Sequence, residues 1–348
     1  MRRNIMILLL FILAMSFCGA NEKDPVSSAP PQNGPEDVDA QVQNSRIGRG
    51  INLGNALEAP SEGEWGVTLR EDYFDLIAGA GFSSVRIPVR WSAHAAESGP
   101  YTIDEAFFRR VDWAVESALS HGLVAVVNMH HYDELYETPA AHLERFLELW
   151  RQIAGRYRSR SADLVFEVLN EPHGNLNAAA WNSMLAQALI IIRESNPVRN
   201  VIIGPASWNS INDLPQLKLP ADDRHIIVTV HYYNPFQFTH QGADWVSDSE
   251  PWLGTRWRAT PEQREEVNRD LDRAAQWGRE NDRPLYVGEF GAYNRAELVS
   301  RALWTEYIAR SAERREMSWA YWEFCASFGV YDRSNGSWVE PLLKALIP

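Results

Sequence analysis

The chain has 348 residues, of which 45% are hydrophobic and 23% are charged, so it can bury a large core. Its formal net charge of −13 at pH 7 disfavours nucleic acid and anionic membranes as partners and suits a neutral substrate. The length allows two domains, but α/β barrels of this size commonly form a single domain.

The N-terminus has the pattern of an export signal. Arg2 and Arg3 precede an apolar run over residues 5–17, which is too short for a comfortable membrane span. We therefore predict a signal peptide over residues 1–20, cleaved after Ala20. Alternatively, Cys18 is the lipid-modified first residue of a bacterial lipoprotein. Either route predicts a secreted or a cell-surface or periplasmic protein, with membrane contact only through a lipid at Cys18.

The next segment predicts a tether that leads into one folded domain. Residues 21–45 are rich in Pro, Asn, Gln, Ser and Asp and offer little to bury, which favours a flexible spacer. The folded domain, in which any functional site would lie, is then expected over residues 46–348. Cys325 is the only other cysteine, so no disulfide framework is expected in the mature domain.

Short apolar runs alternate with longer amphipathic segments from residue 48 onward. The runs are 50–53, 84–89, 123–129, 164–169, 201–203, 226–230, 285–287 and 319–322, and helical periodicity marks 107–120, 142–157, 178–194, 261–279 and 297–314. Eight strands with intervening helices predict a single (β/α)₈ TIM barrel with its site at the carboxyl ends of the strands. A doubly wound open sheet is the alternative, but no Gly-rich phosphate turn follows the first strand.

Two glutamates end apolar runs on opposite sides of such a barrel. Glu171 follows the fourth run and Glu289 follows the seventh, so their carboxyl groups are expected to face each other across the mouth. That pair suits a retaining glycosidase with Glu289 as the nucleophile and Glu171 as the acid/base. Arg86 would keep Glu289 ionised, and Tyr233 could donate to the same carboxylate. Strand-end salt bridges are the alternative role for either glutamate alone.

Other polar and aromatic residues follow the predicted strands. Asn170 could bond a sugar 2-hydroxyl, and Trp322 offers a flat face on which a pyranose ring can stack. His130 and His231 could bond sugar hydroxyls or orient the glutamates. Trp245 lies in an aromatic segment, residues 234–260, that also contains Trp252 and Trp257. We expect this segment to form one wall of the cleft.

A metal-dependent hydrolase is a competing hypothesis, since His130, His131, Asp133 and His231 could in principle gather around an ion. It is disfavoured because adjacent histidines on a strand point to opposite faces and no HExxH motif is present. A non-catalytic glycan-binding barrel is a further alternative, which the intact glutamates disfavour.

An ordered series of motifs resembles glycoside hydrolase family 5, a family of retaining enzymes with (β/α)₈ barrels that cleave β-linked glycans. The matching stretches are residues 50–55, 85–88, 128–131, 169–172, 231–233, 288–291 and 319–324. The resemblance implies Glu171 as acid/base and Glu289 as nucleophile. It also implies a supporting set: Arg86, His130, Asn170, His231, Tyr233 and Trp322. No cofactor or metal is expected.

Further stretches resemble bacterial endoglucanases of subfamily 25. They are residues 55–60, 64–66, 234–243 and 319–331, and the resemblance implies sugar contacts for Asn55, Glu58, His131, Trp245 and Glu323. We therefore predict a monomeric endo-β-1,4-glucanase acting on cellulose-type and mixed-linkage β-glucans, whose partner is a β-linked polysaccharide or oligosaccharide. A β-1,4-mannanase or dual glucanase/mannanase is the nearest alternative, with xyloglucanase behind it.

Overall fold

A computed structural model describes residues 36–348, and eight parallel strands in these residues close into a barrel. Each strand pairs with its sequence neighbours, and the first also pairs with the eighth. The strands are β1 (Arg49–Asn52), β2 (Ser84–Ile87), β3 (Val124–Asn128), β4 (Leu164–Glu167), β5 (Val201–Ile203), β6 (Ile226–His231), β7 (Leu285–Phe290) and β8 (Ser318–Tyr321). All eight predicted strands are present, with ends that differ by up to three residues.

Helices follow the strands and surround the barrel. They are α1 (Ala40–Ile47), α2 (Glu71–Ala80), α3 (Glu105–Ser120), α4 (Asp133–Glu137), α5 (Pro139–Tyr157), α6 (Ala178–Ser195), α7 (Ala206–Asn209), α8 (Phe236–Thr239), α9 (Pro261–Asn281), α10 (Leu298–Glu313) and α11 (Glu340–Leu346). Short 3₁₀ turns cover Trp91–His94, Ile211–Gln216 and Glu250–Trp252, and a small hairpin pairs β9 (Tyr331–Asp332) with β10 (Ser337–Trp338). The predicted (β/α)₈ barrel is confirmed.

Strand alternation divides the apolar residues into two cores. Every second residue faces the barrel axis, and Val126, Val165, Ile202 and Tyr286 form part of the inner cluster. The residues between them face outward and pack against the helices in a second, larger cluster. The buried polar residues Asn52, Arg86 and Glu167 lie at, or one residue before, the carboxyl ends of their strands.

The folded part of the chain begins before the predicted boundary at residue 46. Helix α1 lies across the amino-terminal end of the barrel, where Ala40 and Ile47 join the inner cluster. Asn44 donates to the backbone carbonyl of Leu285 at 3.0 Å, and the Ser318 hydroxyl donates to Asn44 at 2.5 Å. The predicted spacer 21–45 is therefore wrong at its carboxyl end, because helix α1, of eight residues or about two turns, begins at Ala40 within this polar segment.

The predicted signal peptide, Cys18 and the start of the spacer lie outside the described residues. Within residues 36–348, none of the helices combines the length and apolar character needed to cross a membrane. Cys325 is buried and has no disulfide partner among the described residues.

Candidate active site

A cleft of about 1240 Å³ opens at the carboxyl ends of the strands. Its lining includes eleven of the thirteen residues proposed from sequence: Asn55, Glu58, His130, His131, Asn170, Glu171, His231, Tyr233, Trp245, Glu289 and Trp322. Arg86 lies beneath the cleft floor with no exposed surface, and Glu323 is also fully buried. The sequence therefore located the site, but not the depth of every residue in it.

Glu171 and Glu289 face each other at the centre of the cleft. One carboxylate oxygen of each, together with an imidazole nitrogen of His231, lies within 4.8 Å of the other two. Retaining glycosidases have carboxyl groups about 5–5.5 Å apart, whereas inverting enzymes leave about 6.5–9.5 Å for a water molecule. One oxygen of each carboxyl group lying within 4.8 Å of the other fits the shorter spacing of a retaining pair better than the longer spacing of an inverting pair.

The backbone at both glutamates departs from regular strand geometry. Glu171 has a left-handed φ of 48°, and the pairing of β7 shifts register just before Glu289, which pairs with His231. Gly288 permits this close approach, because a Cβ there would lie 2.6 Å from the Thr229 hydroxyl and 3.2 Å from His231. These local departures from the two-residue period bring both carboxyl groups into one cleft.

Two donors hold the carboxylate of Glu289. Nη1 of Arg86 donates to Oε1 at 2.7 Å, and the Tyr233 hydroxyl donates to Oε2 at 2.9 Å. Burial raises the pKa of Glu289, and His231, Arg86 and the Tyr233 hydrogen bond oppose that rise. These donors favour the ionised form, which is the form a nucleophile needs.

Glu171 has a different environment. Burial raises its pKa to about 7, and its side chain is 23% exposed toward the cleft. Its Oε1 lies 2.7 Å from Nδ1 of His231, whose Nε2 lies 3.2 Å from the side-chain amide of Asn209. Burial lowers the pKa of His231 to about 4, so the imidazole is neutral. A carboxyl group that is half protonated near neutral pH suits an acid/base.

The expectation that His130 and His131 point to opposite faces is wrong. His131 has a left-handed φ of 48°, so both rings line the cleft with centroids 4.4 Å apart. Burial lowers the pKa of His131 to about 4 and that of His130 well below its usual range. Both imidazoles are therefore neutral, and each offers the cleft a hydrogen-bonding edge without a charge.

Asn170 and Trp322 lie beside the glutamates. Oδ1 of Asn170 accepts from Nη2 of Arg86 at 2.8 Å, which leaves the amide N–H groups to face the cleft. The ring of Trp322 lies nearly parallel to that of His130, with an interplanar angle of 14°. The peptide bond between Trp322 and Glu323 is cis.

Glu323, predicted to contact sugar, is buried and does not line the cleft. Its carboxylate accepts from the backbone N–H groups of Cys325, Ala326 and Phe328, at 2.7–3.1 Å. Glu58 does border the cleft, but it is almost fully buried and accepts from the backbone of Asn55 and Ala56. Both glutamates hold loops in place, because they are the acceptors for backbone donors that no strand satisfies.

The aromatic segment after β6 contributes only part of the predicted wall. Trp245 is 56% exposed and lines the cleft, whereas Trp257 is 1% exposed and belongs to the outer core. Trp252 does not line the cleft but packs edge-on against Phe236, which does. Trp208, 56% exposed, lines the cleft and stacks on His173 at 4.8 Å.

The four residues considered for a metal site do not form one cluster. Among residues 36–348, the one group of three or more with suitably close ligand atoms consists of Glu171, His231 and Glu289. Their atoms are already engaged, since His231 bonds Glu171 while Glu289 accepts from Arg86 and Tyr233. The three side chains are therefore linked to one another and to Arg86 and Tyr233 by hydrogen bonds.

Glu167 is a buried carboxylate of the site that the sequence interpretation missed. It ends β4 with no exposed surface and accepts from Arg86 at 2.6 and 2.8 Å. Strand alternation could have revealed it, because Val165 faces the barrel axis and Glu167 lies two residues further on.

The comparisons with known proteins agree with this geometry. The family model described as cellulase (glycosyl hydrolase family 5) matches residues 44–327. The chain belongs to glycosyl hydrolase family 5. The resemblance of this family 5 chain to subfamily 25 stays a prediction.

Curated relatives of this family 5 chain include two endoglucanases. Endoglucanase H of Acetivibrio thermocellus is 39% identical over 339 residues, which cover 94% of this chain and 36% of that protein. Endoglucanase 3 of Fibrobacter succinogenes is 27% identical, over 86% of this chain and 52% of that protein. This chain thus spans about half or less of the length of these two relatives.

Solved structures of similar proteins cover whole chains. Endoglucanase Cel5A from the hyperthermophilic Thermotoga maritima is 51% identical, with a TM-score of 0.88 over 89% of this chain and 100% of that chain. Crystal structures of Cel5A include complexes with cellobiose and mannotriose. Cellulose synthase subunit Z of Clostridioides difficile is 39% identical, with a TM-score of 0.84 over 87% of this chain and 100% of that chain.

Proposed function

We propose that this chain is an endo-β-1,4-glucanase that cleaves internal bonds of cellulose-type and mixed-linkage β-glucans with retention of configuration. The closeness of the Glu171 and Glu289 carboxyl groups carries the proposal, because oxygens within 4.8 Å of each other fit the short spacing of a retaining pair rather than the wider spacing that holds a water molecule in inverting enzymes. The endoglucanases among the relatives support the β-1,4-glucan substrate.

The first half-reaction forms a glycosyl-enzyme. Oε of Glu289 attacks the anomeric carbon while protonated Glu171 gives its proton to the glycosidic oxygen, and the bond from carbon to that oxygen breaks. Arg86 and Tyr233 keep Glu289 charged and aimed. The side-chain amide N–H of Asn170, whose Oδ1 accepts from Arg86, would donate to the sugar 2-hydroxyl.

The second half-reaction releases the sugar. Glu171, now ionised, takes a proton from a water molecule that attacks the anomeric carbon, and Glu289 leaves as a carboxylate. Two inversions restore the β configuration. The donors from Arg86 and Tyr233 stabilise the departing carboxylate, so they contribute to both half-reactions.

The initial anomer and the substrate ranking test this proposal. Initial rates on carboxymethylcellulose, barley β-glucan and glucomannan, for the wild type beside Glu289→Gln, should show turnover that the variant loses. Proton NMR should detect the β-anomer first. An α-anomer as the first product would refute the retaining mechanism, and full activity after EDTA would remove the metal-dependent alternative.

A dual glucanase/mannanase is the second candidate, because the similar Cel5A structures include a mannotriose complex. Glucose and mannose residues differ only in the orientation of the C2 hydroxyl. A glucomannan or mannan rate equal to the β-glucan rate would favour the dual enzyme, and a mannan rate near zero would favour the glucanase.

We further propose that the protein is exported and acts outside the cytoplasm. The pattern of residues 1–20 supports this, and a lipid at Cys18 would attach the enzyme to a membrane. Globomycin, which blocks lipoprotein signal cleavage, together with Cys18→Ser distinguishes the routes. If the protein is a lipoprotein, Cys18→Ser abolishes its membrane association. If it is an ordinary secreted enzyme, the wild type and Cys18→Ser are both released.

A further inference from the structure

Arg86 lies at the centre of a saturated hydrogen-bond network. A guanidinium group has five N–H donors. Nε and Nη2 donate to the two oxygens of Glu167 at 2.6 and 2.8 Å. The remaining three go to Glu289 at 2.7 Å, Asn52 at 2.8 Å and Asn170 at 2.8 Å. Every donor of the buried cation therefore has a partner, and Glu167 takes two of the five.

We propose that Glu167 is a positioning residue for catalysis, which acts by fixing the orientation of Arg86 beneath the nucleophile Glu289. The inference rests on the proposed function of the same cleft. Glu167 has no exposed surface and does not line the cleft, so it has no contact with substrate. Its effect on the reaction passes through Arg86.

The planar geometry of the Arg86 guanidinium group explains how Glu167 affects the orientation of the bond to Glu289. The guanidinium group is planar, so the two bonds that hold its Nε and Nη2 edge also fix the direction of Nη1. Nη1 is the atom that donates to Glu289. Nη2, held by Glu167 on one side, donates to Asn170 on the other, directly before the acid/base Glu171. Glu167 thus positions one donor for each half of the catalytic pair.

Charge gives Glu167 a second effect. Both of its oxygens accept N–H bonds from a guanidinium, which is the pattern of an ionised carboxylate. Arg86 therefore lies between two carboxylates, Glu167 and Glu289, and its charge is shared between them. If Glu167 lost its charge, Arg86 would bind Glu289 alone and hold it more tightly as an ion, which weakens it as a nucleophile.

The same charge reaches the acid/base. Burial raises the pKa of Glu171, Arg86 and His173 oppose that rise, and the negative charge of Glu167 adds to it. The other titratable groups facing Glu171 are His231, Glu289, Tyr136 and Tyr233. Removing the charge of Glu167 should lower the pKa of Glu171. Since the acid must be protonated, the basic limb of the profile of kcat/KM against pH should move to lower pH.

Two variants separate charge from shape. Glu167→Gln removes the charge and turns an N–H group toward an Arg86 donor. Glu167→Asp keeps the charge but withdraws it by one methylene. Glu313→Gln is the matched control, because Glu313 pairs with Arg49 at 2.8 Å at the amino-terminal end of the barrel.

The readouts are chosen to respond to positioning rather than to folding. One is the rate constant for inactivation by 2,4-dinitrophenyl 2-deoxy-2-fluoro-β-cellobioside, which traps the nucleophile without needing the acid. The others are kcat/KM against pH on barley β-glucan, and the Tm. Glu167→Gln should lower the inactivation rate by roughly 10- to 150-fold, as expected from losing one charge-assisted hydrogen bond, and shift the basic limb downward. Glu167→Asp should lower the rate but keep the limb.

The opposite results would overturn the inference. One such result is a folded Glu167→Gln or Glu167→Asp enzyme that the fluorinated cellobioside inactivates at the wild-type rate. Another is a failure of both variants to fold, which would assign Glu167 to stability alone. An equal loss in Glu313→Gln would also overturn it. A wild type that releases no sugar from any glucan or mannan would instead refute the proposed function, and this is visible before any variant is compared.

Discussion

The hydroxyl of Tyr233 makes a bond whose removal has a calculable effect. In Tyr233→Phe, Oε2 of Glu289 loses its donor at 2.9 Å and retains only His231, whose Nδ1 lies 3.6 Å away and is too distant to replace it. A hydrogen bond to a charged group contributes about 1.5–3 kcal/mol, which corresponds to roughly 10- to 150-fold in a rate constant. Glu289 leaves as a carboxylate in the second half-reaction, so we expect that step to slow by this factor.

The assay is kcat on 2,4-dinitrophenyl β-cellobioside, where the good leaving group makes release of the glycosyl-enzyme limiting. The lost bond also raises the pKa of Glu289, because the hydroxyl stabilised its ionised form. The nucleophile must be charged, so the acid limb of kcat/KM should move to higher pH. A kcat within about threefold of the wild type, with an unmoved acid limb, would refute this account of the site.

Tyr132→Phe is the matched control for that experiment. Tyr132 is also buried, but its hydroxyl bonds His142 at 3.1 Å and Arg145 at 3.2 Å, away from both glutamates. Its loss should lower the Tm without moving either limb of the pH profile. A shifted acid limb in this control would mean that the effect in Tyr233→Phe is not specific to Glu289.

Three further predictions concern the acid/base, the loops and the barrel base. Glu171→Gln should abolish turnover of natural glucan, whose leaving oxygen must be protonated by the group with a pKa of about 7, and largely spare kcat/KM on the dinitrophenyl substrate, whose leaving group needs no acid. An equal loss on both substrates would contradict this role. Burial raises the pKa of Glu58 to about 8, so the folded state favours its protonated form and loses stability as the pH rises from about 4.5 to 8. Glu58→Gln should therefore reduce the fall of the Tm with pH over that window. An unchanged slope of Tm against pH would contradict this. Asn44→Ala should lower the free energy of unfolding in urea by about 1–3 kcal/mol. It should leave kcat/KM unchanged, because the hydrogen bonds of Asn44 lie at the amino-terminal end of the barrel, opposite the cleft. A loss of activity without a loss of stability would contradict this placement.

The sequence alone determined the barrel and indicated which two glutamates face each other in its cleft. Eight apolar runs separated by helical periodicity allow few other folds, and a parallel barrel gathers the residues that follow its strands at one mouth. Glu171, Glu289, Arg86 and Tyr233 could therefore be placed from their positions after apolar runs. That inference needs only chain order and the direction of the strands.

Only the tertiary structure decided which polar residues face the cleft. At the strand ends the period of two stops, and the left-handed backbone of His131 turns toward the cleft a ring that alternation had assigned to the opposite face. Glu323 and Trp257 are buried by neighbours distant in sequence, and Glu167 is identified only by its bonds to Arg86. Burial and hydrogen bonding depend on residues far apart along the chain, whereas a sequence pattern reports only what is near.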